Sequence, residues 1–159
     1  HFQSDPQDAT SLSNNFVYTA YQDRAGLLWI GTFGGGINLF DYKTEQFAHY
    51  YAHPGDPDSL GKNDVFSLSE DMDGFLWIAT YGAGLDRFDP TKGQFIHYRH
   101  DPADPNSLVS DEVWAVYADR AGVIWVGTNH GLDRLDPDSE RFSHYKHDPN
   151  NTFAKNKLI

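Results

Sequence analysis

His130 is the residue whose type and position come nearest to catalytic chemistry. A histidine beside a carboxylate can move protons or, with further ligands, hold a metal ion, and Asp111 or Glu112 could supply the carboxylate. The chain has no cysteine, which excludes thiolate chemistry and disulfides. The glycine cluster at 34–36 has no lysine beside it, and no G-x-S-x-G motif occurs, so neither a phosphate cradle nor a serine nucleophile is indicated. We therefore predict no catalytic residue, no metal and no cofactor, and hence no enzyme.

Three other histidines recur at one fixed place, and this regularity favours a structural role. His49, His97 and His144 each lie in a Phe-x-His-Tyr motif. A metal site would need several ligands at close spacing, and these motifs do not offer them. We interpret the three histidines as hydrogen-bonding residues of the fold.

The motifs belong to a repeat of 48 residues that runs through the chain. Its marker is a tryptophan, Trp29, Trp77 and Trp125, inside the pattern Asp-x-x-Gly-x-[Leu/Ile]-Trp-[Ile/Val]-[Gly/Ala]-Thr. Asp and Gly are turn-forming residues, while the tryptophan and its aliphatic neighbours suit packing between repeats. We therefore interpret this pattern as structural.

Within a unit, apolar residues alternate or form short runs between Gly, Pro, Asn and Asp, which indicates strands and turns. In the first unit the predicted strands are 16–22, 27–32, 36–40 and 46–50. Four short antiparallel strands per repeat of this length predict an all-β fold, a β-propeller segment of three four-stranded antiparallel blades with partial blades at both ends. The predicted divisions are 1–11 (tail of a preceding blade and link), 12–50 (blade one), 51–98 (link and blade two), 99–145 (link and blade three) and 146–159 (link and start of a fourth blade).

In a propeller, the loop before the inner strand and the loop between the second and third strands lie on one face, around the channel mouth. Departures from the repeat in these loops mark candidate ligand contacts, since aromatic, amide and carboxylate groups suit a polar small molecule or a sugar. The predicted ligand-binding residues are Asn15, Phe33, Asn63, Tyr81, Asp111, Asn129 and His130. The inner-strand aromatics Tyr18, Phe66 and Trp114 could line the same pocket, although packing between blades is the favoured interpretation.

Charge restricts the possible partners. Twelve Lys and Arg face 23 Asp and Glu, a net charge of -11. Such a field disfavours nucleic acid and anionic membrane surfaces, so we predict no nucleic-acid partner and no membrane contact by this segment.

The repeat resembles the two-component regulator propeller repeat, most closely in the link His-Asp-Pro-Ala-Asp-Pro-Asn-Ser-Leu at 100–108. The resemblance implies a periplasmic location, in the extracytoplasmic sensor region of a bacterial inner-membrane receptor whose output is a histidine kinase or a diguanylate cyclase. It also implies recognition of a small-molecule or oligosaccharide ligand, or of a partner domain, without catalysis.

Two other functions stay open. A propeller lyase or hydrolase fragment would use His130 with Asp111 or Glu112. A self-assembling scaffold segment would use the strand edges that three blades leave exposed. Expected protein partners are other propeller blades, from the parent chain or from copies of this chain.

Overall fold

The computed structural model describes residues 1–136 and 138–147, and these residues form twelve β-strands and no helix. Blade one contains β1 (Val17–Gln22), β2 (Leu28–Thr32), β3 (Ile37–Asp41) and β4 (Gln46–Tyr50). Blade two contains β5 (Val65–Glu70), β6 (Leu76–Thr80), β7 (Gly84–Asp89) and β8 (Gln94–Tyr98). Blade three contains β9 (Val113–Ala118), β10 (Ile124–Thr128), β11 (Gly131–Asp136) and β12 (Arg141–Tyr145).

Each blade is one four-stranded antiparallel sheet with its strands in chain order. The predicted fold is therefore confirmed, and the predicted strand bounds of blade one agree to within one residue. The predicted link and start of a fourth blade, 146–159, lies outside the described residues from 148 onward. The division of the chain at the links stays a prediction.

The blades lie side by side through their first strands, because β5 contacts both β1 and β9. β1, β5 and β9 are thus the inner strands. Blade two is sandwiched between the others, and each joint encloses its own apolar core. The first joint contains Trp29, Ile37, Leu60, Val65, Leu68, Leu76, Ile78, Phe88 and Phe95. The second contains Trp77, Ala79, Leu85, Leu108, Val113, Val116, Ile124, Val126, Leu135 and Phe142.

The repeating tryptophan packs each blade against the next one. Trp29 and Trp77 are each 1% exposed, whereas Trp125, which has no described blade beyond it, is only half-buried. The indole N–H does not stay unpaired, since Trp77 Nε1 donates to Asp71 Oδ2 at 2.7 Å. The same bond is made in the other two blades. In the third it lowers the pKa of Asp119, as expected for a carboxylate that accepts hydrogen bonds.

The surfaces left open at the two ends of the arc are sheet faces. Strand edges were the expected assembly surface, but each blade is a complete sheet whose inner and outer edges repeat identically along the arc. Within residues 1–136 and 138–147, what differs at the ends is that one face of blade one and one face of blade three have no described blade beside them.

The Asp-x-x-Gly turn offers a direct test of this framework. Asp71 Oδ1 accepts the backbone N–H groups of Asp73 and Phe75, and Oδ2 holds the buried indole of Trp77. Asp71→Ala leaves these donors without their acceptor, so we expect the free energy of unfolding to fall by about 1 to 3 kcal/mol. Asp73→Ala, in the same turn with an exposed side chain, should change it by less than about 0.5 kcal/mol.

The measurement is urea unfolding of both variants and the parent at one protein concentration. Equal losses for the two variants would show that the aspartate does not organise the joint.

Candidate functional site

The two loops predicted to share one face lie side by side in all three blades. A backbone N–H at the end of the second strand donates to a carbonyl just before the inner strand. The three bonds are Phe33 to Phe16 at 2.9 Å, Tyr81 to Asp64 at 3.0 Å and Asn129 to Glu112 at 3.3 Å. We call the surface formed by these loops and the adjoining starts of the inner strands the mouth surface.

Five aromatic side chains form a continuous cluster on the mouth surface, which we call the aromatic patch. Its members are Tyr18, Phe33, Phe66, Tyr81 and Trp114. Ring centroids are 4.4 Å apart for Tyr18 and Phe66, 5.0 Å for Phe66 and Trp114, and 5.1 Å for Tyr81 and Trp114. Tyr18, Phe33 and Trp114 are nonetheless exposed. The patch therefore links the blades and also presents ring faces to solvent.

The inner-strand members of the patch all lie on β-bulges. In blade one the pairing steps from Val17 with Thr32 to Thr19 with Gly31, which leaves Tyr18 without an opposite residue. The equivalent unpaired residues in the other blades are Phe66 and Trp114. A bulge re-aims a side chain and interrupts the strand's alternation. Here it turns one aromatic ring per blade onto the mouth surface.

A polar group of three residues adjoins the patch at blade three. His130 Nδ1 donates to Asn129 Oδ1 at 2.6 Å, and Asn129 Nδ2 donates to Glu112 Oε2. Glu112 is joined to the patch by a backbone bridge to Tyr81. Asn129 and His130 are exposed, so His130 Nε2 and the free edges of both groups can meet a ligand.

The structure gives three of the predicted ligand residues a different role. Asn15, Asn63 and Asp111 each use side-chain Oδ1 to accept a backbone N–H of the preceding link, from Ser4, Ala52 and His100 respectively. Two of them also offer their main-chain carbonyl to the preceding blade, where Gly36 donates to Asn63 and Gly84 to Asp111. These residues clamp link, blade and neighbouring blade together beside the mouth surface.

Beside these contacts, the residue at the start of the third strand must be a glycine. Gly84 has φ of 77°, a left-handed conformation that glycine adopts without penalty. A Cβ on it would also overlap the carbonyl oxygen of Tyr98. The glycine cluster at 34–36 belongs to the equivalent loop of blade one, which explains it without a phosphate.

Two of the recurring histidines, His97 and His144, look like catalytic dyads, but the fold uses both of their ring nitrogens. His97 Nδ1 lies 2.7 Å from Oδ1 of the buried Asp86, and Nε2 lies 2.9 Å from the carbonyl oxygen of Pro57. His144 repeats both contacts with Asp133 and Pro105. With one ring nitrogen on a carboxylate and the other on a link carbonyl, each histidine fastens the link to its blade.

Groups for acid–base or metal chemistry are sparse at the mouth surface. His130 is bonded to Asn129 and reaches Glu112 only through that amide, while Asp111 accepts from His100. Among residues 1–136 and 138–147, no cluster of three or more His, Asp or Glu could hold a metal ion.

The structure adds two features to the surface expected from the sequence. Glu112 was not among the predicted ligand-binding residues, and for the inner-strand aromatics packing between blades was favoured over a place in the pocket. The bulge is visible in the packing of β5. Val65 and Leu68 belong to the same core, whereas strict alternation would put residues three apart on opposite faces.

A family model matches part of each of the three repeats. The two component regulator propeller model matches residues 11–34, 59–82 and 107–130. Each match runs from the Ser-Leu pair of the link to the residue after the aromatic or asparagine of the second loop, and so includes most of the mouth surface of its blade. No curated protein sequence matches this chain.

Solved structures with this architecture include two extracellular domains from B. thetaiotaomicron. The extracellular domain of the hybrid two component system BT3049 is 27% identical with a TM-score of 0.79, over 91% of this chain and 20% of that one. The extracellular domain of the one component system BT4673 is 30% identical with a TM-score of 0.72, over 86% of this chain and 19% of that one. This chain thus spans about one fifth of either domain. The expected extracytoplasmic location agrees with both.

An enzyme shares the fold at lower identity. Virginiamycin B lyase from Staphylococcus aureus is 14% identical with a TM-score of 0.59, over 84% of this chain and 42% of that one. Identity at this level supports the propeller fold alone.

None of the described residues forms a helix long and apolar enough to cross a membrane.

The link anchors predict a pH dependence of stability. The hydrogen bond to Asp86 raises the pKa of His97 above its ordinary value, against the opposing effects of burial and of Arg99. A raised folded-state pKa means that the stabilisation is complete below about pH 6.5 and is lost as pH rises through the folded pKa. We expect His97→Gln to cost more stability at pH 5.5 than at pH 8.5.

Thermal or urea unfolding of the parent and the variant across this range measures the difference. His53→Gln, in the same link with an exposed side chain, is the control and should give a cost that does not vary in this way. A His97→Gln cost that is independent of pH would contradict the assignment.

Proposed function

Because three segments of this chain match the two component regulator propeller model, we propose that it is a ligand-recognition segment in the extracytoplasmic part of a bacterial two-component-type membrane receptor. The ligand is a small polar molecule or oligosaccharide bound at the mouth surface. The role is binding without catalysis. The observation that carries the proposal is the aromatic patch, raised on β-bulges and bordered by the Glu112, Asn129 and His130 group.

The chemistry of the mouth surface favours a sugar ring over other ligands. A pyranose has apolar C–H faces that stack on aromatic rings and hydroxyls that need donors and acceptors at its edge. Tyr81 and Trp114 supply ring faces, and Asn129 and His130 supply both kinds of hydrogen-bonding atom within the same loop region.

The charge of the mouth surface further restricts the class of ligand. Glu112, Asp64 and Asp111 lie in the loops before the inner strands, with Lys62 as the cation among them. The whole chain has a net charge of -11, so an anionic sugar would approach against repulsion. A neutral saccharide is the class that these groups suit.

A catalytic role has less support. The three-residue polar group lacks a direct histidine–carboxylate contact, and its amide bridge holds His130 at hydrogen-bonding distance from Asn129. The two extracellular domains, at 27% and 30% identity, also stand nearer in sequence than the lyase at 14%. Ligand recognition requires only the aromatic and polar side chains that the mouth surface presents.

Neutral disaccharides test the proposal directly. We expect saturation-transfer NMR with millimolar cellobiose, maltose and lactose to show transfer from the protein to at least one of them. Phe33→Ala and Tyr81→Ala remove ring area from the aromatic patch. Each should raise the apparent dissociation constant for that sugar at least about tenfold, or abolish the transfer.

Tyr42→Ala is the matched control, because Tyr42 is an exposed aromatic in the turn between β3 and β4, away from the mouth-surface loops. It should leave the transfer unchanged. No transfer to any of the three sugars, or transfer that survives both patch variants, would overturn the proposal.

A further inference from the structure

A cavity of about 700 Å³ lies at the outer edge of blade two, between residues 52–61 of the link and the end of β8. Its walls include His53, Leu60, Gly61, His97 and Arg99. We call it the link cavity. Blade two has a described blade on each side, so the cavity belongs to the interior of the arc.

The link cavity departs from the repeat at three positions together. The departing residues are His53, where the other links have Asp5 and Asp101; Gly61, in place of Ser13 and Val109; and Arg99, in place of Tyr51 and Lys146. The cavity at the same place in blade one measures about 310 Å³. Structural residues of this chain recur from unit to unit, so three changes around one larger cavity indicate a local function.

Gly61 makes room for the guanidinium of Arg99. Its N–H donates to Asp86 Oδ2 at 2.6 Å, and a Cβ on it would lie 2.8 Å from that oxygen and 3.0 Å from Arg99 Nη2. Any larger residue would therefore push the end of the arginine side chain away. Arg99 Nη1 also donates to the carbonyl oxygen of Ala83. The glycine and this bond together hold the guanidinium at the wall of the cavity.

The charge of Arg99 is available to a ligand. A guanidinium carries five N–H donors, and within residues 1–136 and 138–147 the bond to Ala83 is the one hydrogen bond that Arg99 makes. Over the same residues Arg99 forms no ion pair. The nearby carboxylate of Asp86 is already used, since it accepts from Gly61 and His97 at 2.6 and 2.7 Å. Arg99 is exposed, so its remaining donors can meet a bound molecule.

The rim of the link cavity lacks a carboxylate that the other links have. Asp5 and Asp101 each use Oδ1 to accept the backbone N–H two residues further on, at 2.9 Å. At this position the second link has His53, and its turn is formed by Pro54 and Gly55, with Gly55 at φ of 87°. Such a turn suits glycine and needs no aspartate. An imidazole, which can donate a hydrogen bond to an anion, thus replaces a negative charge.

We propose that the link cavity binds a small organic carboxylate, with its anionic group paired with Arg99 and its body against the link. A planar guanidinium binds a carboxylate through two parallel hydrogen bonds. Arg99 is the one arginine or lysine among the residues that line the cavity, and the carboxylate of Asp56 lines it as well. A singly charged anion therefore suits this site better than a doubly charged one.

The link cavity differs from the mouth surface in charge. Glu112, Asp64 and Asp111 oppose an anion at the mouth surface, whereas Arg99 attracts one here. Interactions between exposed charges fall off over about 8 Å at physiological ionic strength, so the groups that touch the ligand outweigh the net charge of -11. Binding at the link cavity is thus independent of sugar binding at the mouth surface.

Two-dimensional NMR of the backbone amides tests the proposal with sodium D-glucuronate and D-glucose, which share a pyranose ring and differ in the carboxylate. We expect glucuronate, over about 0.1 to 20 mM, to give saturable shifts of the N–H signals of Gly55, Gly61 and Arg99. Glucose at the same concentrations should leave these signals unchanged. Sodium sulfate at matched ionic strength should not saturate them, because it is a dianion.

Two variants change the charge of the link cavity. Arg99→Gln removes the cation and should raise the apparent dissociation constant for glucuronate at least about tenfold. His53→Asp restores the carboxylate that the other links carry and should raise it at least about threefold. This variant keeps the fold, because aspartate occupies that position in both other links. Arg120→Gln, the same change at an exposed arginine in the turn between β9 and β10, is the control and should bind like the parent.

No saturation by glucuronate, equal saturation by glucose or sulfate, or an unchanged dissociation constant in Arg99→Gln would overturn the proposal. Phe33→Ala, which removes a ring of the aromatic patch, should leave the glucuronate shifts unchanged. Arg99→Gln should in turn leave the transfer to the neutral disaccharides unchanged. Failure at the link cavity and failure at the mouth surface are therefore distinguishable.

Discussion

Everything in this structure depends on how one blade buries its tryptophan against the next. A four-stranded sheet has two apolar faces and no way to cover both, so a blade is stable only between neighbours. The indole of Trp29 or Trp77 covers much of that surface, and the aspartate of the preceding turn satisfies its N–H. One aspartate therefore shapes the hairpin turn and fixes the ring that joins two blades.

The aspartate and the tryptophan recur at fixed positions in every unit, which explains why the fold could be predicted from the sequence. Strand bounds follow from local alternation, and turns follow from Asp and Gly at fixed offsets. Both signals are repeated three times, which removes the ambiguity of any single unit.

The side chains of the mouth surface were harder to assign. Asn15, Asn63 and Asp111 were chosen as variable loop residues, yet all three offer the same oxygen at the same repeat position and bind a link N–H. Recurrence at the 48-residue spacing marked them as structural, by the same reasoning that was applied correctly to the histidines. Phe33, Tyr81 and Asn129 do change in chemical type along the repeat, and these are the side chains that the fold leaves exposed or half-buried.

All five members of the aromatic patch were named from the sequence, but their contact with one another depends on the bulges and could not be predicted. Strict alternation along an inner strand would point successive side chains to the two sides of the blade. On that basis Phe66 would pack in a joint between blades. The inserted residue shifts the register so that Val65 and Leu68 share the joint, and the ring between them turns to the mouth surface. Tyr18, Phe66 and Trp114 come from successive blades and touch in series. A ligand stacked on the patch therefore contacts several blades at once, and its binding free energy depends on their spacing. By reciprocity, a ligand bound there would bias the spacing of the blades, so the joints that hold the arc together would carry the effect of occupancy from one blade to the next.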